Sequence, residues 1–160
     1  MTAGQALQFL LVAPGLEAAL ADFFVAVEQA SDTAKFHPHP FTAEEAARRC
    51  AYLGKDLYYV ALLDRRVLGY GMLRGWDEGF DVPSLGIALH PKARATGLAR
   101  ALMTFLHAAA KVRGATKVRL KVYPDNTKAL ELYRSLGYRW IGEQGGQLVG
   151  ILELEPKQTA

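Results

Sequence analysis

The stretch from Thr96 to Gly137 constrains the fold more than any other part of this 160-residue chain. Leu98, Ala101, Leu102, Phe105, Leu106 and Ala109 recur at helical spacing, which predicts a helix over Thr96 to Arg113, ended by Gly114. Lys117 to Val122 then alternates strictly. Val118, Leu120 and Val122 fall on one face and Lys117, Arg119 and Lys121 on the other, which predicts a strand. Asn126 can cap a second helical pattern through Ala129, Leu130, Tyr133 and Leu136, with Gly137 as its stop. Helix, strand and helix in such close succession require a sheet with helices packed against it.

The rest of the chain supplies the other strands. Ala6 to Val12 is a short apolar run closed by Pro14-Gly15, and Leu16 to Gln29 has the spacing of an amphipathic helix. The prolines at 38 and 40 forbid helix there. Thr42 with Glu45 forms the pattern of a capping box for a helix through about Tyr52. Leu57 to Leu63 and Arg66 to Arg74 flank Asp64-Arg65 as a hairpin. Val82 to Leu89, Tyr138 to Gly142 and Leu148 to Leu154 complete the strands. The expectation is a single α/β domain over residues 1–160, with a mixed sheet covered on both faces.

Composition bounds the function. Hydrophobic residues make up 51% and charged residues 22%, an ordinary globular balance, with a formal net charge of +3. No run of Lys or Arg forms a tail, so nucleic acid is not an expected partner. Cys50 is the one cysteine, which excludes an internal disulfide and suits a packed thiol. No secretory leader or membrane span is expected, and a cytoplasmic location is the default reading.

Chemistry enters where Val82 to Leu89 runs into His90-Pro91-Lys92-Ala93-Arg94-Ala95-Thr96-Gly97-Leu98-Ala99-Arg100. The first turn of a helix has N–H groups without internal acceptors, and the helix dipole adds positive potential there. Gly97 lets an anion approach the backbone, small Ala99 permits similar approach, and Arg94 and Arg100 add full charges. By itself this is equally an ordinary strand-to-helix turn with solvated arginines. It is neither a Walker loop nor a dinucleotide fingerprint, since Gly-Lys-Ser/Thr and the three spaced glycines are missing.

Two segments together carry more. His90 to Ala99 resembles the Arg/Gln-x-x-Gly-x-Gly/Ala signature of the GNAT superfamily of acyl-CoA N-acyltransferases. Asn126-Thr127-Lys128-Ala129-Leu130-Glu131-Leu132-Tyr133-Arg134-Ser135-Leu136-Gly137-Tyr138 resembles its second signature, Asn-x-x-Ala-x-x-Leu-Tyr-x-x-x-Gly-Phe/Tyr. The likeness is firm over Leu57 to Leu154 and looser over the first fifty residues. Ala99 stands where many members have a second glycine, and Ala95-Thr96 where Gly-Lys is frequent.

The resemblance implies a GNAT fold: a mostly antiparallel sheet of about seven strands, splayed at its centre and flanked by about four helices. It implies acetyl-CoA as cosubstrate, with no metal. Backbone groups of Ile87, Ala88 and Leu89 would hold the pantetheine arm. Amides of Arg94, Ala95, Thr96, Gly97, Leu98, Ala99 and Arg100 would hold the pyrophosphate, and Asn126 would touch the coenzyme arm. Tyr133 would donate a proton to the departing sulfur; spacing alone makes it a core aromatic. For the base that takes the amine proton, Asp77 and Glu78 are candidates, against the bland reading of a solvated turn. His90 and Ser84 are weaker alternatives.

Acceptor residues are expected at Phe36, His37, His39 and Trp76. The two histidines lack a third ligand, so a pocket wall is favoured over a metal site. The stripe of Lys117, Arg119 and Lys121 is either a solvated face or an attractor for an anionic acceptor. The function expected is acetyl transfer to a primary amine of a small molecule such as an amino sugar. Transfer to a protein N-terminus or lysine is an alternative, as is a non-catalytic acyl-CoA sensor. A homodimer is compatible with the sequence, which does not require one.

Overall fold

A computed structural model of the chain describes residues 6–30 and 38–154. Phe36 and His37 lie outside the described residues. The elements follow in the order β1 (Gln8–Leu11), α1 (Glu17–Gln29), α2 (Ala43–Ala51), β2 (Leu57–Leu63), β3 (Arg66–Arg74), β4 (Ser84–Leu89), α3 (Leu98–Arg113), β5 (Lys117–Val122), α4 (Thr127–Ser135), β6 (Arg139–Gln144) and β7 (Gln147–Glu153). A single 3-10 turn, Pro91–Ala93, separates β4 from α3. The sequence pattern did not disclose it; Pro91 begins it, and the His90 ring accepts a hydrogen bond from the Lys92 N–H.

The strands form one seven-stranded sheet in the order β1-β2-β3-β4-β5-β7-β6. Every neighbouring pair is antiparallel except β4 and β5. Strand β4 starts at Ser84 rather than at Val82. Pro83 has no N–H to give to a ladder, but its carbonyl accepts from Arg119 N–H at 2.9 Å.

Alternation along the strands sorts side chains between two cores. Tyr58, Val60, Tyr70 and Met72 pack with Phe23, Phe24 and Val27 of α1 and Ala46 and Cys50 of α2. The buried Cys50 thiol, its pKa raised by burial, belongs to this core. On the other face Leu73, Leu85, Val118 and Leu120 pack with Leu102, Met103 and Leu106 of α3 and with α4. Gly69 and Gly71 lie on that second face of β3. A Cβ at Gly71 would stand 2.8 Å from Leu106 Cδ1, so α3 sits against backbone there. A register shift between Ala61 and Leu62 leaves Leu68 of β3 without a partner in β2. Val67 and Tyr70 therefore share one core although they are three residues apart.

Candidate active site: a splayed strand pair beside a helix N-terminus

Only Ser84 opposite Arg119 joins β4 to β5. Beyond that point the two strands diverge, and β4 is laddered on one edge alone, to β3. The register tells which main-chain groups face the opening. His90 N–H donates to Leu68 C=O at 2.8 Å, and hydrogen-bonded pairs alternate along an antiparallel ladder. Ala88 and Gly86, opposite Tyr70 and Met72, therefore direct their amide and carbonyl groups to β3. Ile87 and Leu89 direct theirs into the splay. The strand thus offers two residues to an extended ligand, Ile87 and Leu89; Ala88 contributes its small side chain on the opposite face.

At the wide end of the splay lies the start of α3. Ala95 and Gly97 both have positive φ, 59° and 88°, a conformation that turns successive N–H groups to one side. A Cβ placed on Gly97 meets nothing within 4 Å, so the approach to the backbone is open. Thr96 folds back: its hydroxyl donates to Ala93 C=O at 2.5 Å and accepts from Leu98 N–H at 3.3 Å. Within the helix the first backbone bond runs from Ala101 N–H to Gly97 C=O at 3.1 Å. The Ala99 and Arg100 amides thus precede the first helical donor and have no acceptor within the helix. Arg94 is exposed on this turn. Arg100 does not point its guanidinium into the turn; it donates to Ser135 Oγ at 2.7 Å, and Ser135 Oγ donates to Leu132 C=O at 2.7 Å. The open turn, the bare amides and Arg94 fit a pyrophosphate.

Asn126 is the N-cap of α4, its Oδ1 accepting from Ala129 N–H at 3.4 Å. The amide nitrogen of its side chain is left for other contacts. Tyr133, one element away from the splay, belongs to the same core as Ile87 and Val122. Its ring tilts against Tyr138 at 5.8 Å. Burial raises its pKa to about 12, which keeps the phenol protonated and able to donate. Tyr138 in turn bonds His107 Nε2 at 2.7 Å. Burial lowers the His107 pKa to about 4, so this imidazole is neutral at pH 7. The Tyr138–His107 pair was not visible in the sequence, because its members are 31 residues apart on different elements.

The remaining expected residues lie elsewhere. Asp77 and Glu78 occupy the turn after β3, at the closed end of the splay. The Asp77 carboxylate accepts from the Tyr52 hydroxyl and, at 2.8 Å, from Lys55 N–H. These bonds hold its pKa below the usual carboxylate value. Asp56 Oδ1 accepts from Gly75 and Trp76 N–H at 3.0 and 2.9 Å, fixing the same turn. Trp76 packs with the α3 core under Arg113, 4.7 Å from guanidinium carbon to ring centroid. His39 is turned into the first core. Its Nδ1 lies 2.8 Å from Pro40 C=O and its Nε2 2.7 Å from the Tyr70 hydroxyl. A carbonyl only accepts, so Nδ1 carries the proton and Nε2 accepts from Tyr70. Burial lowers the His39 pKa and keeps the ring neutral. Among the described residues no group of three or more His, Cys, Asp or Glu side chains is placed to hold a metal.

A sheet parted between its parallel strands, with an open helix start at the wide end, offers main-chain groups to an extended ligand with an anionic end. The model of the acetyltransferase (GNAT) family matches residues 21–138. A GCN5-related N-acetyltransferase from Kribbella flavida is 25% identical, with a TM-score of 0.73 over 92% of this chain and 98% of that one. The PaiA N-acetyltransferase from Thermoplasma acidophilum, solved in complex with coenzyme A, is 14% identical (TM-score 0.75, 92% and 99% covered). The ribosomal-protein-S5-alanine acetyltransferase from Vibrio fischeri is 16% identical (TM-score 0.77, 93% of each chain covered).

The chain belongs to the GNAT acetyltransferase family. It is an acyl-CoA-dependent N-acetyltransferase. No helix among the described residues is long and apolar enough to cross a membrane.

Proposed function

We propose that the chain moves an acetyl group from acetyl-CoA to the primary amine of a small molecule by direct attack. The observation that carries this reading is the pair of free edge residues, Ile87 and Leu89, leading to the open amides before α3. Main-chain groups of Ile87 and Leu89 hold the pantetheine arm as an added strand would. The Ala95 to Arg100 turn holds the pyrophosphate, with Arg94 beside it and Asn126 on the coenzyme arm. The Ile87 N–H, fixed in the sheet, faces the oxygen on which negative charge develops. Tyr133 gives its proton to the leaving sulfur. The amine gives its proton to water leading toward Asp77 and Glu78.

A small acceptor is favoured by one contact. Register places Gln144 on β6, one strand beyond β7 and past the end of β5, yet its Oε1 accepts from Arg119 Nη2 at 2.6 Å. The tip of the β6–β7 hairpin therefore curls back over the sheet face opposite α3, which narrows it against a folded protein.

Release of free thiol from acetyl-CoA in the presence of an amine panel tests the proposal. Turnover with a free small amine is expected. Tight coenzyme binding without thiol release from any amine would make the chain a sensor. Turnover confined to peptides would move the acceptor to proteins.

A further inference from the structure

The cross-strand registers place three polar residues in one row on the sheet face opposite α3. Arg74 stands opposite Ser84, and Ser84 stands opposite Arg119. Directly opposed residues share a face. The face is the one carrying Tyr70 and Met72, since Arg74 continues their alternation and donates to Pro38 C=O at 2.6 Å. Arg119 points the same way, because Val118 and Leu120 fill the α3 core. The two arginines thus flank a serine on β4 itself, at neighbouring-strand spacing of about 4.8 Å on each side.

Among the described residues neither Arg74 nor Arg119 forms an ion pair. The Arg74 and Arg119 contacts above are both with neutral carbonyl oxygens, Pro38 and Gln144. Asp56, just before β2, keeps its charge but is held in place, its Oδ1 accepting from the amides of the 75–77 turn. Lys117 and Lys121 share the face of Arg119, and Arg139 on β6 reaches Glu153 at 3.8 Å. Each held guanidinium keeps further N–H groups for a second oxygen ligand, and the carbonyl contacts pre-orient it.

We infer that Arg74 and Arg119 form a carboxylate subsite, and that the acceptor is an amine bearing a carboxylate. This inference rests on the transferase reading of the same cleft. Ser84 is three residues from Ile87, about 10 Å along the strand. The arginine side chains shorten that span, so amine and carboxylate belong to one small molecule. Ser84, Gly86 and Ala88 leave this side of β4 without bulky side chains, which gives the body of such an acceptor its place.

The experiment compares amino acids with their carboxamides as acceptors for the native protein, Arg119→Gln and Arg74→Gln. The native protein is expected to prefer the acids by at least tenfold in kcat/KM. Each variant should raise KM for the acids by tenfold or more, leave kcat and the acetyl-CoA KM within about threefold, and leave the carboxamides unaffected. Equal use of acid and carboxamide by the native protein, or an equal loss for both in the variants, overturns the subsite. Arg119→Lys, which keeps the charge but not the fork, should recover part of the acid preference. Calorimetric titration of the same acids into coenzyme A-loaded protein separates the two readings. Arginine-dependent binding without turnover sinks the transferase and keeps the subsite; turnover of carboxamides as readily as acids does the reverse. Neither binding nor turnover sinks both.

Discussion

The Arg100 guanidinium donates to Ser135 Oγ and so ties the first turn of α3 to the last residue of α4. The helix whose first amides are left without helical acceptors is thereby braced against the helix that carries Tyr133. If this bond acts as a brace, Arg100→Ala and Ser135→Ala each lower the melting temperature, and the double variant is no less stable than the worse single one. Additive losses in a thermal-melt cycle would show two independent contributions.

Tyr133→Phe removes the only atom assigned to proton donation while keeping the ring against Tyr138. Turnover is expected to fall about 100-fold, with acetyl-CoA affinity unchanged. Because burial raises the Tyr133 pKa to about 12, its deprotonation leaves no fall in kcat of the native protein between pH 7 and 10. Unchanged turnover in the variant removes the acid role.

Gly97→Asp puts a carboxylate at the open approach to the α3 amides, in a backbone conformation with φ of 88°. Coenzyme A affinity, measured by calorimetry, should drop at least about tenfold from like-charge repulsion. Gly97→Ala separates the two effects, since its Cβ meets no atom within 4 Å. It carries the conformational strain without the charge and should bind nearly as the native protein does. Unaltered affinity in the Asp variant places the pyrophosphate elsewhere.

His107 makes the fold acid-sensitive. Its pKa falls from 6.5 to about 4 on burial, so below pH 6.5 the unfolded chain takes up a proton that the folded chain refuses. The stability present above pH 6.5 is lost progressively as pH falls toward 4. His107→Gln removes this titration. Its melting temperature should vary less than that of the native protein between pH 6.5 and 4; an equal slope assigns the acid loss to other groups.

Gly71→Ala tests the close approach of α3 to β3. The added methyl meets Leu106 Cδ1 at 2.8 Å and Leu102 Cδ1 at 3.4 Å. Overpacking of this kind costs about 1–3 kcal/mol, readable by denaturant titration. A neutral result means that Leu106 repacks without moving the helix.

Most of the fold was legible because its signals are local. Strict alternation at Lys117 to Val122, the Asp64-Arg65 turn and the stops at Gly114 and Gly137 each specify an element within a few residues, and β2, β3 and β5 have the expected bounds. The seven-stranded mixed sheet and the parting of β4 from β5 match the fold the resemblance implied. The 3-10 turn at Pro91 escaped because three residues are too few for a periodic pattern.

Side-chain destinations were less legible. His39 beside two prolines suggested a pocket wall, but its partner Tyr70 is 31 positions away on β3. Asp77 reads as a candidate base or a solvated turn residue, and its carboxylate is held by Tyr52 and Lys55 of the segment joining α2 to β2. Arg119 looked like one member of a solvated stripe until the register set it beside Ser84 and Arg74.

The sequence alone determined that a strand leads through a glycine into a helix start, and that a second helix follows with a tyrosine at its core-facing position. Periodicity and backbone preference act between neighbours, so one chain segment suffices to express them. Only the tertiary structure decided that Ile87 and Leu89, and not Ala88, turn their amides to the opening. It also decided that Arg100 bonds Ser135 of α4 and that Arg74 and Arg119 flank Ser84 on neighbouring strands. Those relations depend on which edges pair and in what register, and register is set by burying whole faces against two cores at once.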